Sequence, residues 1–189
     1  MRGLIAFFLT VLPATLSAQS FCEASWVARN MIFARAGHCF SSALGMAMFD
    51  NSNCTGSGPT LTPMDQEAVR VMRDQEARAG CRVNTAAGPT QGLIAAWQEY
   101  ARLFEIPAVD ELGWACWGYS GPTITLHAGT GMNTPQIGQL ASGQSLVSEH
   151  WPRNGWVYVS VLTGPGGSLL ASGWTAARVD DSMCAQVAG

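Results

Sequence analysis

Apolar positions recur along the chain in three rhythms, and each predicts a different structure. Leu4 to Leu12 is a nearly unbroken apolar run. From about residue 20 to 83 the spacing is helical. At 100° per residue, Cys22, Trp26, Val27, Met31, Phe33 and Ala34 fall on one broad face of a first helix, with Arg29 and Arg35 on the other side. Asn30 lies inside the apolar arc, where an amide needs hydrogen-bond partners, so it is expected to clasp a neighbouring loop. Ser20 followed three residues later by Glu23 has the pattern of a capping box, and Gly37 supplies the left-handed geometry of a C-terminal cap. A short second helix is predicted over Ser41 to Phe49, followed by the turn-rich loop DNSNCTGSGPT. A third opens at Thr62-Pro63, a capping threonine with a proline at the first helical position. Met64, Ala68, Val69, Met72 and Ala79 share its expected inner face.

Residues 84 to 111 begin with NTAAGPTQG and then hold one amphipathic helix (Leu93, Ile94, Trp97, Tyr100, Ala101, Phe104), which Pro107 stops. This helix is expected to pack on one of two flanking domains. Beyond Trp114 helical periodicity disappears. Short β-rich pieces, Ile124 to Leu126, Gln144 to Val147, Trp156 to Leu162 and Ser172 to Thr175, alternate with Gly and Pro turns. About 70 residues of this texture predict a small β-barrel. The expected fold class is therefore α+β: a helical domain over 19–83, a linker with one helix over 84–111, and a barrel over 112–189.

The ends and the cysteines say where such a chain works. Met1-Arg2-Gly3, the apolar run and the small residues up to Ala18 have the three parts of a secretory signal peptide over 1–18. The run is too short to span a bilayer, which takes about 20 apolar residues. A cut after Ala18 is preferred over one after Ser20, which would remove the predicted helix cap. The mature chain, about 171 residues, is expected in the periplasm or outside the cell. It keeps six cysteines, Cys22, Cys39, Cys54, Cys81, Cys116 and Cys184, an even number that reads as three disulfides in an oxidising compartment. Fifteen pairings are possible and the sequence does not choose among them. Position favours Cys39–Cys54 as a local loop closure and Cys22–Cys81 between the first helix and the end of the third. A Cys116–Cys184 bridge would close the barrel.

Charge excludes some partners. All ten basic residues are arginines, and nine of them remain in the mature chain against thirteen acids. Such a chain offers no electrostatic footprint for nucleic acid and does not attract anionic membranes. Charged residues are only 12% of the chain, so raw material for acid–base chemistry is scarce. His38, His127 and His150 lie on three separate segments, and no nucleophile elbow, zinc-protease or phosphate-loop motif occurs. Adjacent His38 and Cys39 do not make a catalytic pair, because neighbouring side chains diverge and the thiol is expected in a disulfide. Asp110, Glu111 and Glu149 are the available carboxylates for a glycan hydrolase, the least favoured reading. No cofactor or metal is expected, and no catalysis.

Binding has better material. Five of the seven tryptophans lie after residue 113. Trp156 and Trp174 are expected in the core. Trp151, in SEHWPRNGW, reads as the tip of a hairpin and is the surface candidate. A ligand groove is expected to carry Trp151, Arg153 and Tyr119 along its edge, since aromatic faces suit sugar rings and the apolar parts of peptides.

Two resemblances sharpen this. Trp26-Val27-Ala28-Arg29-Asn30-Met31-Ile32-Phe33-Ala34-Arg35-Ala36-Gly37-His38-Cys39-Phe40 resembles the signature W-Y-A-R-N-x-I-Y-A-R-H-G-x-x-F of the YARHG domain, a small extracellular bacterial module. Ala36 stands where that pattern has its histidine, so no role for that side chain is carried over. The second half resembles a bacterial SH3 domain in Leu126-His127-Ala128-Gly129-Thr130, in Ile137-Gly138-Gln139-Leu140, in Gly143-Gln144-Ser145-Leu146-Val147, and in the Gly-Trp pairs at Gly155-Trp156 and Gly173-Trp174. These resemblances imply a non-catalytic envelope protein that binds peptidoglycan or its peptides. The alternative is an adaptor that contacts another periplasmic protein. A wall binder of this kind is expected to be a soluble monomer without a membrane span.

Overall fold

The computed structural model describes residues 15–189. The leader assigned to 1–18 lies outside them except for its last four residues, which form the first turn of helix α1 (Thr15–Arg35). Ser20 is therefore an interior helix residue and not a cap. Three more helices follow, α2 (Ala43–Met48), α3 (Pro63–Arg78) and α4 (Gln91–Ala101). Seven strands complete the chain: β1 (Val109–Tyr119), β2 (Ile124–His127), β3 (Gln136–Leu140), β4 (Ser145–His150), β5 (Val157–Leu162), β6 (Leu169–Thr175) and β7 (Cys184–Ala188). A 3-10 turn, Asp181–Met183, precedes the last strand.

The two long N-terminal helices stop by the same device. Gly37 (φ +88°) and Gly80 (φ +65°) take the left-handed conformation that glycine adopts at no steric cost. The amides that follow reach back to the last free carbonyls, His38 to Phe33 at 3.0 Å and Cys81 to Glu76 at 2.9 Å. Both helices end on the same four residues, Ala34-Arg35-Ala36-Gly37 and Ala77-Arg78-Ala79-Gly80, a repeated cap. It delivers a cysteine to a disulfide at or just beyond each helix end, Cys39 with Cys54 and Cys81 with Cys22. At the far end of the chain Cys116 on β1 is joined to Cys184 on β7.

Helix α1 is central, not amphipathic. Ser25, Trp26, Val27 and Ala28 are buried in succession, which happens only when a helix is covered on all sides. It packs on α3, α4 and β1. Its supposed solvent side is spent on ties to these neighbours. Arg29 pairs with Glu76 of α3 at 3.1 Å, with Ser25 donating to the same carboxylate. Arg35 donates to the carbonyls of Tyr100 in the last turn of α4 and of Leu103 and Phe104 just past it. Asn30 does not reach a loop: its amide donates to Trp26 O at 2.7 Å within the same helix.

The C-terminal half is an open sheet and not the expected barrel. Its order is β3-β2-β6-β5-β4-β1-β7, with every assigned pairing antiparallel, so β3 and β7 are the two edges. The physical reason is burial on both faces. Along β5, Tyr158 packs into the core shared with α1, α3 and α4, while its neighbours Val159 and Val161 join a second core with Cys116, Tyr119, Ile124, Leu126, Leu140 and Leu146. Side chains alternate across a strand, so two faces hold two cores. A closed barrel has one interior; here the helices cover one face. Trp174 and Tyr158 of the sheet are fully buried in the same cluster as Trp26, Met72 and Tyr100 of the helices.

Candidate binding groove

The turn between β4 and β5 builds one wall of a groove. Asn154 (φ +51°) and Gly155 (φ +76°) are both left-handed, and Arg153 and Trp156 exchange backbone hydrogen bonds at 2.8 Å. This is the two-residue hairpin that Asn-Gly favours, because its twist matches that of the strands. Trp151, just before it, is anchored by its amide to Ala108 O at 2.9 Å and leaves its side chain 46% exposed.

The opposite wall is helix α3. Thr62 caps it by accepting from the Asp65 amide at 3.1 Å, and Pro63 sits at its first position. That start aims Met64, Ala68 and Val71, at helical spacing, into the groove. Ile106 and Ala108 also line it, and Trp174 lies among its lining residues with its indole N–H donating to Glu105 O at 2.9 Å. The cavity has a volume of about 270 Å³.

The charged groups along the groove are already engaged. Arg153 Nη2 pairs with Asp65 Oδ1 at 2.9 Å, and its Nη1 donates to Ile106 O at 3.4 Å. Glu67 forms a bidentate pair with Arg70 one turn along the same helix. Asn154 Nδ2 lies 3.3 Å from the Met64 sulfur, tying the turn to the helix. What the groove presents is an aromatic face, a thioether and aliphatic surface.

Of the three residues expected on the edge of a groove, the structure brings together Trp151 and Arg153. Tyr119 is elsewhere: it is 1% exposed in the second core, with its hydroxyl donating to Pro122 O at 2.7 Å. Arg153 holds the two halves together and is not a free cation. Sequence reading placed Met64 on an inner face; its partial exposure follows from the groove at the start of α3.

The histidines are apart. His38 packs its ring against Phe33 and Phe40, with Nδ1 buried and without a hydrogen-bond partner among the described residues. His127 Nδ1 lies 3.1 Å from Thr134 O. His150 sits between Tyr100 and Tyr158, and burial lowers its pKa to about 3 from the usual 6.5. Among the described residues no group of three or more His, Cys, Asp or Glu is arranged to hold a metal ion. Asp110 accepts from the buried Gln75 at 3.1 Å; the side chain of Glu111 lies outside the described residues. No helix among the described residues is long and apolar enough to cross a membrane.

Comparison with known families assigns both halves. Residues 8–77 match the YARHG domain, in keeping with the Trp26 to Phe40 signature. Residues 80–189 match a domain of unknown function, DUF4453, and not a bacterial SH3 domain. The open sheet agrees with that correction. The short Gly-Trp and Gly-x-Leu motifs suggested SH3 because they mark turns and strand starts, which many antiparallel sheets share. No curated protein and no solved structure matches the chain. The DUF4453 match spans more than half of its length, and the chain belongs to that family, with a YARHG domain at its N-terminal end.

Proposed function

We propose that this is a non-catalytic binding protein of the cell envelope and that peptidoglycan docks in the groove between α3 and the 151–154 turn. The observation that carries the reading is Trp151, half-exposed beside an apolar groove whose charged neighbours are already paired. An aromatic face over aliphatic surface suits the apolar face of a sugar ring, and a site of this kind gains little from charged ligands. The signal-peptide pattern of residues 1–18 and the three disulfides support a place outside the cytoplasm.

The test is cosedimentation of the oxidised full chain with purified peptidoglycan sacculi at moderate salt, beside Trp151→Ala. Wild-type protein is expected in the pellet, with the variant largely in the supernatant. Wild-type protein left in the supernatant refutes the wall reading and directs the search to a protein partner. Equal sedimentation of the two keeps the wall but removes the groove.

A further inference from the structure

A second apolar concavity lies in the C-terminal half, apart from the groove beside α3. It lies on the face of the sheet turned away from the helices, where Trp114, Ile124, Leu140, Leu146, Val157 and Val159 from five strands form its wall. Residues 175–181 run across it after β6 as a strap, and the cavity has a volume of about 470 Å³. That is within the range of small-ligand pockets, roughly 300–1,000 Å³.

Its polar groups divide into two kinds. Ser148 and Thr175 are occupied: the first donates to Tyr158 O, and the second accepts from the amide of Ala177. Arg178 and Asp181, both on the strap, are not. Neither side chain has a hydrogen bond or an ion pair among the described residues. They differ in this from Arg29, Arg70 and Arg153, each of which is paired.

From this combination we infer that the cavity is a second binding site, for a small zwitterion with an apolar body, of the class of a free dipeptide of branched apolar residues. Arg178 takes the carboxylate, Asp181 the ammonium group, and the valine, leucine and isoleucine wall the side chains. A guanidinium offers a fork of donors that fits a carboxylate. A purely anionic amphiphile meets Asp181, and a purely cationic one meets Arg178, so both charges on one strap select a ligand that carries both. The site is separate from the groove beside α3: the two have no lining residue in common.

The experiment is isothermal titration of the oxidised full chain with leucyl-leucine. Leucyl-leucinamide lacks the carboxylate, N-acetyl-leucyl-leucine lacks the ammonium group, and decanoate is an anion without one. Saturable one-to-one binding of leucyl-leucine is expected, with each blocked form weakened about tenfold. Arg178→Gln is expected to weaken leucyl-leucine to the level of its amide while leaving the amide unchanged, and Asp181→Asn to do the same towards the acetylated form. Both residues are exposed, so near-ultraviolet circular dichroism should be unaltered in the variants. No saturable binding of leucyl-leucine overturns the inference. So does equal binding of the free and blocked forms, or tighter binding of decanoate. Loss of leucyl-leucine binding in Trp151→Ala would move the ligand to the other groove and overturn it as well.

Discussion

Arg153 and Asp65 are 88 residues apart in the chain and form an ion pair at 2.9 Å, with side chains 14% and 28% exposed. The pair ties the β4–β5 turn to the first turn of α3, so it holds the two walls of the binding groove together beside the Asn154–Met64 contact. Removing the arginine leaves Asp65 half-buried without its cation. Arg153→Ala is expected to cost about 1–3 kcal/mol, less than for a fully buried pair because both groups keep some water. Urea denaturation of the oxidised protein checks this; an unchanged midpoint would make the pair a surface contact of no consequence. The same variant should loosen the groove, so sacculus binding is expected to weaken even though Arg153 is not a ligand contact.

The helices and the sheet stabilise each other and are not two independent folding units. Arg102 donates to the Ser172 carbonyl at 3.0 Å, Tyr158 donates to Glu99 at 2.9 Å, and Phe104 and Ala128 share a backbone hydrogen bond. Cutting at residue 111 strips Tyr158 and Trp174 of the helical side of their core. Each would expose much of a large aromatic side chain, roughly 150–250 Å². A fragment of 112–189 is therefore expected to lack a cooperative thermal transition, while the full chain unfolds in one. A sharp transition in the fragment would overturn the shared core.

Much of this was legible in the sequence where a local rule acts alone. Gly37 and Gly80 cap helices because only glycine takes their backbone angles cheaply, and Thr62-Pro63 opens α3 for reasons confined to one turn. Asn154-Gly155 marks a hairpin by the same kind of rule. What could not be read were the properties set by partners distant in the chain. Arg29 and Arg35 looked solvent-facing because periodicity does not show that α3 and α4 close over them. Tyr119 was expected at a groove edge because its aromatic face suits a ligand, yet its ring fills the second core. The barrel was expected because strand texture alone does not reveal that helices cover one face and keep the sheet open.

The three disulfides close loops of different lengths, and that ranks their effects. Cys39–Cys54 spans 15 residues and Cys22–Cys81 spans 59. Loop-closure entropy gives about 3 kcal/mol for the first and about 4 kcal/mol for the second. The paired variant Cys22→Ala/Cys81→Ala is thus expected to melt lower than Cys39→Ala/Cys54→Ala. The longer bridge also ties the early part of α1 to the end of α3, beside the Arg29–Glu76 pair. Thermal melts of the two paired variants decide it; the reverse order would mean that local strain or denatured-state structure outweighs loop length.

His150 makes the fold sensitive to mild acid. Its ring packs on Tyr158 at 4.8 Å between centroids, and Tyr100 Oη lies 3.5 Å from its Nε2. Burial lowers its pKa to about 3, so the folded protein holds it neutral through the range in which an unfolded histidine, near 6.5, takes up a proton. The unfolded state therefore binds more protons below pH 6.5. Stability is full above that value and falls as the pH drops towards 3, by at most about 1.4 kcal/mol per pH unit. Between pH 6.5 and 5, before most carboxylates titrate, the loss from this one group reaches about 2 kcal/mol at its ceiling. His150→Phe keeps an aromatic ring between the two tyrosines and removes the proton. Its urea midpoint is expected to fall less steeply than that of the wild type over this window. Parallel curves for the two proteins would mean that His150 takes up its proton in the folded state as readily as in the unfolded chain, and that the junction of α4 with the sheet is open to water.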